Sequence, residues 1–167
     1  MGSERGYDLV PFGEVVTFIN GDRGSNYPKA SDYRASGVPF ISAVDIATGY
    51  LDLAGSKKIS LESYERLRNG KIRRGDLLYC LRGSIGKSAL VRDDSRGAIA
   101  SSLVIIRGSE RADIQFVQYF LSSPTGQRLA LKLDNGSVQP NISVRDLRQL
   151  EVPLPSDVLP IIRTSQK

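Results

Sequence analysis

The sequence predicts a single compact α+β domain: strand-rich over its first two-thirds, with a mixed or antiparallel sheet, then two or three helices and an edge strand near the C-terminus. Three observations predict it. Short β-branched and aromatic runs bounded by Gly, Asn and Pro fill the chain up to Ile106. Capped stretches with apolar residues at helical spacing fill Asp113 to Leu150. Hydrophobic residues make up 40% of the chain and charged residues 25%, so its 167 residues can bury one core without disulfides or metals.

The elements follow in order. Val15 to Ile19 reads as a short strand ending at Asn20-Gly21, and Gly21 to Ser36 as a long polar loop. Val38 to Ser42 is a second strand. Ser60 caps a short helix with Leu61, Tyr64 and Leu67 on one face, closed by Asn69-Gly70. Leu77 to Leu81 is a buried strand, Arg82 to Lys87 a turn, and Ser88 to Val91 the returning strand. Ala98 to Ile106 is the strongest strand of the chain. Asp113 then caps a helix with Ile114, Val117, Phe120 and Leu121 on one face. Pro124 suits the first position of the next helix, which runs on through Gln127 to Leu133 and stops at Asn135-Gly136. Ser143 and Asp146 have capping-box spacing ahead of Leu147 and Leu150. Glu151 to Leu154 is a strand cut by Pro153 and Pro155, which suits an edge. The domain is expected over residues 1–155, with 156–167 as a tail.

Composition removes several function classes. The chain has no His, which excludes a His triad, a His general base and most zinc sites. Its one Cys80 lies in an apolar run and reads as a small core residue. No run approaches the roughly 20 apolar residues of a membrane span, and the N-terminus lacks the apolar stretch of a secretory signal. The expected compartment is the cytoplasm, with no membrane partner. The formal net charge is +5, and arginine outnumbers lysine by 16 to 7. A guanidinium fork pairs bidentately with a guanine edge or a phosphate, so this balance fits a folded surface for a polyanion.

Three segments carry candidate chemistry. Arg82-Gly83-Ser84-Ile85-Gly86-Lys87-Ser88 ends like a phosphate-cradling loop. However, Leu81 stands where that loop needs its first glycine, and a strand rather than a helix follows. It reads instead as a tight turn presenting Arg82, Ser84 and Lys87 to a DNA backbone or base edge. Asn20 to Lys29 is either a solvated connection or a binding loop; its Arg23, Ser25, Asn26, Tyr27 and Lys29 are the side chains that read bases and hold phosphates. Gly136, Ser137, Gln139 and Asn141 lie in a third segment. Its amides either read adenine or satisfy backbone groups in a turn, and the structural role is favoured. No carboxylate arrangement of a nuclease or glycosidase is recognisable. Neither an AdoMet glycine loop nor an Asn/Asp-Pro-Pro-aromatic motif is present. No catalytic residue, metal ligand or cofactor site is therefore expected on this chain.

In order along residues 9 to 155, four features resemble a target-recognition domain of type I restriction–modification specificity subunits. They are Gly13-Glu14-Val15 leading into Asn20 to Pro28; Gly37-Val38-Pro39-Phe40-Ile41; Gly75-Asp76-Leu77-Leu78 with Arg82 to Gly86; and Gly136 to Ser143 followed by Val152-Pro153-Leu154-Pro155. The resemblance implies a non-catalytic domain that reads one half of a split site on double-stranded DNA. It implies methyltransferase subunits that hold AdoMet and a motor–nuclease subunit as partners of the parent protein. It assigns the DNA-facing role to Arg23, Ser25, Asn26, Tyr27, Lys29, Arg82, Ser84 and Lys87. Gly136, Ser137, Gln139 and Asn141 become scaffold or backbone contacts. A complete specificity subunit has two such domains and long spacer helices. Residues 156–167 correspond at most to the start of a spacer helix, so the parent is a half-subunit, a longer protein or a fused methyltransferase. Two rival readings stand beside this one: a protein-interaction module with incidental basicity, and a small nucleotide-binding enzyme built on Gly86-Lys87-Ser88.

Overall fold

Two four-stranded sheets occupy the first two-thirds of the chain. A computed structural model describes residues 6–155, apart from Thr48, Asn135 and Ser137. The strands are β1 (Tyr7–Pro11), β2 (Thr17–Asn20), β3 (Tyr33–Arg34), β4 (Val38–Ile41), β5 (Ile46–Ala47), β6 (Tyr50–Leu51) and β7 (Lys57–Ile59). After helix α1 (Leu61–Arg66) come β8 (Leu77–Cys80), β9 (Ser88–Leu90), β10 (Ala98–Ile99) and β11 (Leu103–Arg107). Helices α2 (Ile114–Ser122), α3 (Pro124–Lys132) and α4 (Val144–Gln149) precede the last strand, β12 (Glu151–Pro155). The architecture is α+β, as the sequence predicts.

The first sheet is antiparallel in the order β2-β11-β8-β9, and its central strands β11 and β8 are buried on both faces. Leu77 and Tyr79 of β8, with Val104 and Ile106 of β11, pack with Val117 and Leu121 of α2. The alternate residues Leu78, Cys80, Leu103 and Ile105 pack on the other side with Ile41 and Ile72. A strand buried on both faces reads as an unbroken apolar run, which is why Leu77 to Leu81 is so plain in the sequence. The second sheet, β10-β4-β7-β3, pairs β10 parallel to β4 and is otherwise antiparallel.

Several local expectations are corrected. Val15 closes a 3₁₀ turn over Phe12–Glu14, so β2 starts later, at Thr17. Gly21 to Ser36 is not one open loop: it holds 3₁₀ turns at Gly24–Asn26 and Ala30–Asp32, then β3. The α1 helix does start at Ser60, whose Oγ accepts from the Ser63 amide, but Leu61 faces solvent. The apolar run Ala98 to Ile106 is two strands in different sheets. Ala100, Ser101 and Ser102 turn the chain between them, with Ala100 donating to the Ile41 carbonyl at 2.7 Å and accepting from Leu103. The later caps are as expected. Asp113 accepts from Gln115 and Phe116, Ser123 stands ahead of Pro124, and Ser143 accepts from Asp146. β12 pairs antiparallel with β1, closing the two ends of the domain together. The tail from residue 156 onward lies outside the described residues.

Candidate nucleic-acid interface

The pairings Asn20 with Val104 and Leu103 with Cys80 bring the ends of β2 and β8 to one end of the first sheet, with the start of β9 beside them. The loop after β2 and the turn between β8 and β9 therefore leave from the same end, on strands about 10 Å apart. Ser42 after β4 and Ala100 after β10 emerge there as well, because those strands run parallel.

The β8–β9 turn is rigidly built. Cys80 donates to the Lys87 carbonyl at 2.9 Å, Gly86 to the Cys80 carbonyl at 3.3 Å, and Lys87 to the Ser84 carbonyl at 3.2 Å. Gly86 adopts φ +87°, and a Cβ there would sit 2.6 Å from Gln127 Oε1. Gln127 of α3 donates from Nε2 to the Gly86 and Leu121 carbonyls, clamping the turn from behind. Arg82 and Lys87 are left exposed, with Ser84 half-buried between them. Strand β9 follows the turn, where the phosphate-cradling loop of nucleotide enzymes requires a helix.

The third sequence segment runs beside this turn. Gly83 donates to the Pro140 carbonyl at 3.2 Å, and Ile142 to the Leu81 carbonyl at 2.9 Å. Asn141 Oδ1 accepts from Arg82 Nε at 3.2 Å, while the Asn141 amide donates to Asp134. Asn141 thus steadies the root of the Arg82 fork. Gly136 has φ +70° beyond the end of α3, and Ser137 lies outside the described residues.

These pieces enclose a cleft of about 670 Å³. The β8–β9 turn contributes Arg82, Gly83, Ser84 and Lys87, and the third segment contributes Gln139. Ser42, Ala43 and Val44 complete it together with Ser101 and Ser102, none of which sequence reasoning singled out. One signal was present: Ser42 and Asp45 have capping-box spacing, and Asp45 does accept from both the Ser42 amide and its hydroxyl. Among the described residues the ion pairs are Arg66–Asp32 and Arg107–Asp76. Among the described residues, Arg82, Lys87 and Arg23 are in neither of these ion pairs.

The Gly21 to Lys29 loop is more tightly tied. A Cβ on Gly21 would lie 2.7 Å from the Ile99 carbonyl oxygen, so only glycine lets the loop cross the second sheet here. Asp22 accepts from the Arg68 amide at 2.7 Å and from Arg23, and these bonds together with the Asn26 side chain hold its carboxyl below the usual range. The Tyr27 ring stands edge-on to Phe40 at 5.5 Å. Asp32 takes a bond from Ser63 Oγ and another from the Lys29 amide, with Arg66 adding charge, which lowers its pKa to about 2. Asn26 and Tyr27 thus have structural partners, while the Arg23, Ser25 and Lys29 side chains face solvent.

The Gly75-Asp76 motif lies at the opposite end of the first sheet. Asp76 is buried and takes a bidentate bond from Arg107 at 2.7 and 2.8 Å, so this motif secures the scaffold. Cys80 is fully buried and burial pushes its thiol up to about 11, which is unsuited to a nucleophile. Among the described residues no cluster of acidic or thiol side chains has metal-binding proximity, and no helix is long and apolar enough to cross a membrane. A second concavity of about 760 Å³ lies between the β1–β12 ribbon and the helices; Tyr7, Leu9, Phe116, Phe120, Leu129 and Pro153 make it apolar. Lys132 and Glu151 are its charged residues, a lining that does not suit a polyanion.

Residues 4–158 match the family model described as the type I restriction modification DNA specificity domain. Over an alignment of 155 residues the chain is 31% identical to the type I restriction enzyme EcoBI specificity subunit of Escherichia coli; the match covers 89% of this chain and 33% of the subunit. The chain thus spans about a third of the curated relative it matches. Its fold is similar to that of the HsdS subunit from Thermoanaerobacter tengcongensis, with a TM-score of 0.66 and 20% identity over 98% of this chain and 37% of that one. A chain from a structure of complex assembly and conformational transition in a type I R-M system gives a TM-score of 0.68 at 21% identity, covering 98% of this chain and 38% of that one. The type I S subunit from M. genitalium gives 0.61 at 15% identity, with 98% and 39% covered.

Proposed function

The chain belongs to the type I restriction modification DNA specificity family, and on that premise we propose that it reads one half of a bipartite site on duplex DNA through the cleft around Arg82. The observation that carries this reading is the meeting of Arg82, Ser84, Lys87 and Gln139 in one open cleft, on a hairpin fixed from behind by Gln127. Arg82 offers a fork for a guanine edge, steadied by Asn141; Lys87 offers a point charge for phosphate. Arg23, Ser25 and Lys29 add contacts from the neighbouring loop. Asn26, Tyr27, Asn141 and Gly136 shape the two surfaces, and Gln139 lines the cleft beside the turn. Phosphate contacts supply most of the affinity and make it salt-dependent, while a few side chains in the cleft supply the choice of sequence.

The domain catalyses nothing in this reading. Methylation belongs to a methyltransferase subunit carrying AdoMet, and cleavage to a motor–nuclease subunit, both joined through the parent protein. The test is selection from a pool of random duplex DNA at low salt, sequencing what the domain retains. Enrichment of one short motif is the expected result. Retention without enrichment reduces the cleft to a basic surface. No retention at high protein concentration favours the protein-interaction reading.

A further inference from the structure

Val44 keeps 90% of its surface in solvent, yet it lines the same cleft as Arg82, Ser84 and Lys87. The backbone that presents it is fixed. Asp45 accepts from the Ser42 amide at 2.7 Å and from its hydroxyl at 3.0 Å, and the Ala43 amide donates to Ser102 Oγ at 3.3 Å. Ile41 and Ile46, on either side of the turn, are buried in the core between the sheets. A β-branched side chain has restricted freedom at χ1, so its two methyl groups are presented at the cleft at little entropic cost. Among the described residues, nothing covers them.

An apolar group set among hydrogen-bond donors fits one feature of duplex DNA. The major-groove edge of thymine places its 5-methyl beside the O4 acceptor, and neighbouring purines offer N7 and O6. We propose that Val44 is a specificity-determining residue that packs on a thymine 5-methyl in the major groove, while Arg82 or Lys87 holds an acceptor or phosphate next to it. This assignment rests on the cleft being the DNA-reading surface. It adds a preference for thymine at one position, which the charged side chains alone do not supply.

The experiment starts from the half-site that the wild-type domain enriches. Each thymine of that duplex is replaced singly by deoxyuridine, which removes the methyl and keeps the hydrogen-bonding edge. Wild type should lose about fourfold in affinity at one thymine, the worth of one buried methyl group. Val44→Ser should bind the thymine and deoxyuridine duplexes equally and Val44→Ala should keep only part of the difference, both with an unchanged melting temperature because the side chain is exposed. A half-site without a methyl-sensitive thymine overturns the assignment, as does undiminished sensitivity in both variants; in either case sequence reading by the cleft stands. Failure of the wild type to enrich any motif removes the reading itself, and Val44 with it.

Discussion

The Gly21 to Lys29 loop and the Arg82 to Lys87 turn carry similar side chains, leave the same end of one sheet, and are used differently by the fold. In the loop, Asp22 binds the Arg68 amide, Tyr27 packs on Phe40, and Pro28 is buried. Much of its polar and aromatic equipment is committed to the domain's own cohesion. The turn is fixed mainly through its backbone, by Cys80, Pro140 and Gln127; Arg82 gives only its Nε to Asn141, and Ser84 and Lys87 stay available. A loop that spends side chains to hold itself has fewer to offer a ligand, whereas one held by its main chain presents nearly all of them. Residue type does not separate these cases; the partners of each polar atom do.

The contrast can be broken at several points. The largest effect is expected from Tyr27→Ala, which removes a half-buried ring from the Phe40 contact. It should cost about 2 kcal/mol of stability in urea unfolding, while the folded fraction keeps its sequence preference. A normal unfolding midpoint with altered preference would make Tyr27 a reader and erase the difference between the loops. Lys87→Ala should leave stability unchanged and weaken binding evenly across sequences. The slope of log affinity against log salt should fall by about one contact's worth, roughly 0.9. The smallest effect lies in acid. The Asp32 carboxyl is depressed to about 2, so the stability it contributes is present above the unfolded carboxylate pKa near 3.8 and is lost as pH falls from there toward 2. Asp32→Asn should flatten that part of the stability profile, measured by unfolding across the acid range, and leave DNA binding at neutral pH unchanged.

Much of the fold is legible because its signals are local. Asp113, Pro124 and Ser143 announce three helices within a few residues of their starts, and the unbroken run at Leu77 announces a strand covered on both sides. The missed elements are short strands, and apart from the local β5–β6 pair their reason to exist is a distant partner. β1 contains a proline and alternates only weakly, and it becomes a strand because β12 returns beside it. β3 and β7 pair over two residues, which no propensity window resolves. The division of Ala98 to Ile106 had one clue, Ser101-Ser102, set inside an apolar stretch that otherwise reads as continuous. The site divides the same way. Arg82, Ser84 and Lys87 are visible as a glycine-framed turn, while Ser42 to Val44 and Ser101-Ser102 join them only because β10 lies parallel to β4.

Arg82→Ala, compared on the enriched half-site and on a scrambled duplex of the same length, tests the central claim most directly. A loss of about 1–3 kcal/mol confined to the enriched sequence is the predicted result, with Arg82 reading a base edge. Equal losses on both duplexes would contradict it and leave Arg82 as a phosphate contact.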